Sequence, residues 1–296
     1  MAPRPMKRTV FTALVLALAM LATACGSGDD VTGPTADEGS CDVADLNLVT
    51  PGKLTVATGE PAYPPWVGTT DGEGFDDPAS KLGYEAALVY ELAAQMGFTD
   101  ADVVWTRVGF DEAIAPGTKP WDFNLQQYSI TEAREQVVDF SAPYYTTRQA
   151  LVVFEDSPFA APSSMADLKD AALGAQVGTT SLDFIEDVIK PSKEAAVYND
   201  NAAAKAAMTA GQIDGIIVDL PTAYYITAVE IEGSVIAAQF ETEAADPDNY
   251  GLLFAEGNSL VPCVNTALAA LRDSGKLDEL EQTYLTQGGS IPTISG

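Results

Sequence analysis

Residues 129–145 read SITEAREQVVDFSAPYY, and the reading of the whole chain turns on them. Thr131 stands where an N-cap belongs, since a Thr hydroxyl can accept from an amide in the first turn of a helix. Ser129, Ile130 and the following amides then lie at a helix start, where N–H groups and the helix dipole favour an anion. Arg134, one turn further, adds a planar fork that matches a carboxylate. The same Arg134 could instead be a surface cation paired with a neighbour such as Glu135, and these residues alone leave both readings open.

On either side of this stretch, predicted strands and helices alternate, the pattern of an α/β protein with mostly parallel strands. Residues 54–58 and 103–106 read as strands around a helix at 84–96. Tyr84, Leu88, Leu92 and Met96 share one face of that helix, and Gly97 suits a left-handed C-terminal residue. Residues 149–154 form a β-branched, apolar run. A fresh series follows: a strand at 173–177, the turn Gly178-Thr179-Thr180, helices at 182–189 and 202–210, and a strand at 213–218. After an acidic stretch at 241–248 come a strand at 250–254 and helices at 259–274 and 277–286. No internal repeat is evident.

The 296-residue chain carries 15 Lys and Arg against 43 Asp and Glu, with no His, for a net charge of −28. That balance lacks the basic footprint a nucleic-acid partner needs. Without His there can be no Ser-His-Asp triad, His-ligated zinc or imidazole acid–base catalyst. The chain is long enough for one large core or two smaller ones, and two lobes are expected. The acidic runs 71–77 and 241–248 lack EF-hand spacing and read as solvated loops, so neither a metal nor a cofactor is expected.

Arg4, Lys7 and Arg8, an uncharged run at 10–21 and Ala22-Thr23-Ala24 before Cys25 read as an export signal over residues 1–24. The apolar run is short for a membrane span. Cys25 resembles the lipidated cysteine of a bacterial lipoprotein, although Leu21 lies one place further away than the usual leucine; an ordinary secretory signal cut near Ala24 is the other reading. Residues 25–44 would then form a lipid-anchored tether. Loss of residues 1–24, with three cations and no acids, would take the net charge from −28 to −31. Cys41 and Cys263 are then left as a pair in an oxidising compartment and are expected to form a disulfide, with two buried free thiols as the alternative.

Further motifs lie in order around the opening stretch: GKLTVATGEPAYPPW at 52–66, LGYEAALVYELAAQMGF at 82–98, GAQVGTT at 174–180, GQIDGIIVDLP at 211–221, YGLLF at 250–254 and VNTALAALRDSGKLDELEQTYL at 264–285. Together they resemble the bacterial extracellular solute-binding proteins of family 3, which deliver polar amino acids to ABC importers, over nearly all of residues 50–286. The resemblance implies the type II periplasmic-binding-protein fold, with two α/β lobes joined by a two-crossing hinge. Lobe 1 would comprise 45–147 and 247–296, and lobe 2 148–246, with crossings near 146–149 and 243–248. It also places Cys41 and Cys263 in one lobe. It further implies a monomer outside the cytoplasm, held to the outer face of the membrane by its N-terminal lipid and partnered by an ABC permease.

A free amino acid taken from water needs fixed partners for its carboxylate and its ammonium. The resemblance gives the carboxylate to Arg134, Ser129 and the Thr of the GTT turn, here Thr179 and Thr180, which can also simply cap the following helix. It gives the ammonium to Asp219, which otherwise reads as an N-cap before Pro221. Tyr63 and Phe110 match the aromatic walls of such sites, whereas Trp66 reads as packing at the rim. Gln127, Glu60 and Glu85 stand where side-chain specificity is set; the two acids could face a cationic or amide side chain or merely cap and solvate the surface. Two other classes stay open: a sensor that hands its ligand-bound state to a signalling partner, and a cyclohexadienyl-dehydratase-like enzyme on the same scaffold, which would need a carboxylic acid of raised pKa in the cleft.

Overall fold

The computed structural model describes residues 40–241, 248–285 and 291–295. The expected export signal, Cys25 and most of the tether lie outside these residues, as does 243–247 of the second expected crossing. Thirteen strands run in chain order through the described residues: β1 (Leu54–Thr58), β2 (Val103–Arg107), β3 (Phe123–Asn124), β4 (Val138–Phe140), β5 (Tyr145–Thr147), β6 (Gln149–Phe154), β7 (Leu173–Gln176), β8 (Ala196–Tyr198), β9 (Gly215–Asp219), β10 (Ser234–Glu241), β11 (Asp248–Tyr250), β12 (Leu253–Ala255) and β13 (Thr293–Ser295). They form a five-stranded sheet in the order β2-β1-β3-β12-β4, a six-stranded sheet in the order β13-β10-β6-β9-β7-β8, and the small pair β11-β5.

Each large sheet has its own core, which makes two α/β lobes. In the first, Leu54 and Val56 of β1 pack with Leu88 and Leu92 of the helix Tyr84–Gln95 and with Val264, Leu268 and Leu271 of the helix Val261–Asp273. The spacing of Tyr84, Leu88 and Leu92 puts them on one stripe, and Gly97 takes the left-handed conformation (φ 87°) that ends the helix. The second sheet is covered on both faces. Leu151 and Val153 of β6 join one cluster with Ile217 and Phe240, while Ala150 and Val152 join another with Ile216 and Met208. Burial on both faces is why β6 reads as a continuous apolar run. A disulfide joins the exposed Cys41 to Cys263 of the first core.

The sheets are more mixed than the expectation of mostly parallel strands. β6 runs antiparallel to both β9 and β10, and β12 runs antiparallel to β3 and β4. Both strands follow the small β11-β5 pair in the chain, so they enter their sheets from the other lobe rather than through a right-handed β-α-β step. The strand β10 was not foreseen. Its run of small residues and the register shift between Ile236 and Ala238 blur the alternation that marks a strand. The C-terminal residues also depart from their expected place in lobe 1. β13 pairs in parallel with β10, and Ile294 is buried in the second lobe.

Candidate functional site

β1, β2, β7 and β9 end at the same region, the place where α/β sheets present ligand-binding loops. A cavity of about 410 Å³ opens there, lined by residues from both lobes. Of the residues expected to bind a ligand, Arg134, Ser129, Gln127, Tyr63, Phe110 and Glu60 reach it from the first lobe, and Thr179, Thr180 and Asp219 from the second.

Arg134 lies in the short helix Glu132–Glu135, whose cap is Thr131: the Arg134 amide donates to the Thr131 hydroxyl at 3.3 Å. A helix of one turn has little macrodipole, so the guanidinium, rather than the helix start, is the group that could pair with an anion. Arg134 is 8% exposed. Its Nη1 donates to the Ser129 carbonyl at 2.7 Å, and its Nη2 to the Gly178 carbonyl in the other lobe at 2.9 Å. The guanidinium carbon sits 5.4 Å from the centre of the Phe110 ring, which stacks on Tyr128 with centroids 4.8 Å apart. Burial draws the Arg134 pKa down, and Tyr128, Asp248 and Asp183 counter it, so the group stays a cation.

Lining the same cavity, the Ser129 and Thr180 hydroxyls lie 3.3 Å apart across the lobes. Thr179 lines the cavity, but its hydroxyl donates to the Gln176 carbonyl and accepts from the Leu182 amide, so it caps the helix Thr180–Asp183. Asp219 ends β9 and caps the helix Leu220–Tyr225. Its Oδ2 accepts from the Thr222 hydroxyl at 2.9 Å and the Thr222 amide at 3.3 Å, so neither bond from Thr222 engages Oδ1. Desolvation in the cleft pushes the Asp219 carboxyl up to about 6, against the hydrogen bonds from Thr222.

Glu85 departs from the expectation. It is 1% exposed, does not line the cavity, and neither caps a helix nor faces solvent. Its carboxylate accepts from the Gln127 amide at 2.9 Å, from Gln127 Nε2 at 2.5 Å and from the Tyr144 hydroxyl. Burial raises its pKa to about 7, against the hydrogen bonds from Tyr144 and Gln127. These bonds tie Glu85 to Gln127, which lines the cavity in a left-handed conformation (φ 53°). Trp66 is more than rim packing. It lies edge-on to Tyr84, Tyr145 and Tyr250, and its Nε1 donates to Thr222 of the other lobe at 3.3 Å.

Several lining residues escaped the sequence reading: Gln149, Thr222, Asp111, Asp200, Lys205 and Glu230. Gln149 heads β6, where Nε2 donates to Asp248 Oδ2 at 2.6 Å and Oε1 accepts from Ser181 at 2.7 Å. A lone amide opening an apolar strand was the available signal, as was the Asp-x-x-Thr spacing for Thr222. The others have none, because their helices bring them to the cavity only through tertiary packing. Among the described residues no cluster of acids or cysteines has metal-holding geometry.

Residues 54–287 match the model of the bacterial extracellular solute-binding proteins, family 3. The L-arginine-binding protein of Pseudomonas aeruginosa is 28% identical over 236 residues, which cover 77% of this chain and 86% of that protein. Among solved structures, a mutant of ArgBP from T. maritima superimposes with a TM-score of 0.64 at 25% identity, covering 80% of this chain and 96% of the other. An ancestral amino acid-binding protein, a precursor of cyclohexadienyl dehydratase, gives a TM-score of 0.62 at 25% identity over 79% of this chain and 96% of its own.

Proposed function

Because the chain belongs to family 3 of the bacterial extracellular solute-binding proteins, we propose that it captures a free amino acid between its two lobes and delivers it to an ABC importer. The observation that carries this reading is the convergence of Arg134 and Asp219, a cation and a carboxylate from opposite lobes, on one cavity of about 410 Å³. Arg134, with the Ser129 and Thr180 hydroxyls, takes the ligand carboxylate. Asp219 Oδ1 takes the ammonium. Both charges of the zwitterion are then exchanged from water to fixed partners, and closure is favoured because only the closed form offers both.

The rest of the cavity favours a cationic side chain. Glu60, Asp111, Glu112, Asp200 and Glu230 line it, against the single further cation Lys205. The arginine-binding relative supports the same choice. A ligand of about ten heavy atoms gains at most roughly 1 kcal/mol per atom, which sets the expected affinity in the submicromolar to micromolar range.

The lobes hinge at the β11-β5 pair; among the described residues lobe 1 is drawn from 45–147 and 248–285, and lobe 2 from 148–241 together with β13. Among the described residues no helix is long and apolar enough to cross a membrane, and attachment is assigned to a lipid on Cys25 after removal of residues 1–24. Incorporation of labelled palmitate, lost in Cys25→Ser, tests the anchor. The protein acts as a binder rather than an enzyme: Asp219, the carboxyl of raised pKa in the cavity, is committed to the ammonium. Calorimetric titration with the common amino acids tests the function. Binding of one or a few, with prephenate and arogenate left unconverted, is expected; no binding by any amino acid, or turnover of either cyclic acid, would reject it.

A further inference from the structure

Lys205 lies in the helix Asn201–Thr209, which buries Ala204, Ala207 and Met208 against the second sheet and is capped by Asp200. Its ammonium pairs with Glu230 Oε1 at 2.5 Å, and their side chains are only 13% and 19% exposed, the most secluded ion pair among the described residues. The same ammonium stands 4.9 Å from the centre of the Tyr63 ring. Lys205 and Glu230 belong to the second lobe and Tyr63 to the first, and all three line the cavity. Glu230 and Asp200 line the cavity beside Tyr63, and burial first, then Glu230, Asp200 and Asp76, raise the pKa of its hydroxyl.

An aromatic face with a carboxylate beside it is suited to a cation. Here that cation is the chain's own. Resting on the proposed amino-acid function, we propose that Lys205 is a specificity-determining residue: its ammonium occupies the subsite for the ligand's side-chain cation and bridges the lobes through Tyr63 until a cationic ligand displaces it. Lys205 then sets the threshold for ligand choice. A guanidinium covers the ring more fully than an ammonium and pairs with carboxylates through a fork, so it can displace Lys205 where a neutral side chain gains nothing by doing so. An opposite role is equally concrete in its consequences: if Lys205 served as the partner of an anionic side chain, its removal would weaken glutamate binding.

The test compares arginine, its neutral isostere citrulline, and glutamate by calorimetry on the full mature chain and on Lys205→Met, which keeps the stem and removes the charge. The expected result is a rise of about tenfold in the ratio of arginine to citrulline affinity, since a like charge within a few ångströms has been removed. Glu230→Gln, which strips the carboxylate from the subsite, should lower that ratio. It carries the test alone if circular dichroism shows Lys205→Met unfolded. An unchanged or lower ratio in Lys205→Met, or loss of glutamate binding, would overturn the proposal. Small-angle scattering of the ligand-free proteins separates this outcome from failure of the amino-acid reading. The radius of gyration should be larger for Lys205→Met than for wild type, and equal radii overturn the bridge whether or not any amino acid binds.

Discussion

Arg134 donates through Nη2 to the backbone carbonyl of Gly178 at 2.9 Å, so a cation carried by one lobe rests against the other. Both arms of the fork rest on backbone oxygens, those of Ser129 and Gly178, which a ligand carboxylate can replace with two charge-assisted bonds. Replacing Arg134 with Met keeps an unbranched apolar stem against Phe110 and removes the charge. Amino-acid affinity should fall at least about thirtyfold, the low end for loss of a buried charged partner. Calorimetry reads the affinity, and far-ultraviolet circular dichroism shows that the fold is kept. Affinity equal to wild type would remove Arg134 from the site.

Asp219 predicts a pH dependence. The ligand ammonium binds the ionised carboxylate, and in the free protein that carboxyl titrates at about 6. Protons therefore compete with the ligand, and affinity falls as pH drops through that value, by about tenfold between pH 7 and pH 5. Asp219→Asn should bind at least about thirtyfold more weakly at pH 7 and show a flatter profile. Titrations across this range check both. A wild-type affinity constant from pH 7 to pH 5 would show that the ammonium has another partner.

Much of this site was legible in the sequence because its residues act through short-range geometry. Thr131 caps the turn that carries Arg134, and Asp219 ends an apolar strand and caps the next helix, so local spacing located both. Glu85 was misread for the converse reason. A carboxylate in the first turn of a helix ordinarily faces water, and only the tertiary approach of Gln127 and Tyr144 explains its burial. Lys205 and Glu230 are 25 residues apart and meet only when the second lobe folds. β13 was invisible because a three-residue edge strand has no periodicity to detect, and its place beside β10 depends on the chain returning to the second lobe.

Glu85 should make the ligand-free protein less stable as pH rises. Its carboxyl is raised from 4.5 to about 7 by burial, so between these values the native state binds more protons than the unfolded chain, and stability falls as pH increases through the window. The full loss for this group is about 3 kcal/mol, reached above pH 7. Glu85→Gln removes the titration, and Gln127 can turn its amide to accept from the new donor. Relative to wild type, the melting temperature of Glu85→Gln should therefore be more favourable at pH 8 than at pH 5. Melting curves that shift in parallel across pH 5–8 would show that this carboxyl does not titrate in the native protein.

The Cys41–Cys263 bridge closes a loop of 222 residues and ties the start of the described chain to the helix Val261–Asp273. A loop that long restricts the unfolded ensemble strongly, by roughly 5 kcal/mol as an upper figure in the chain-entropy account. Cys263 is buried in the first core and neither cysteine lines the ligand cavity. The double variant Cys41→Ser/Cys263→Ser should thus lose several degrees of melting temperature while keeping its amino-acid affinity within about twofold, because stability and binding draw on separate parts of the lobe. Adding a reductant to the wild type should reproduce the shift. An affinity that fell together with stability would mean that the bridge also sets the position of β1 and its loop at the cavity, and a melting temperature unchanged by either treatment would mean that the first core holds the N-terminal segment without it.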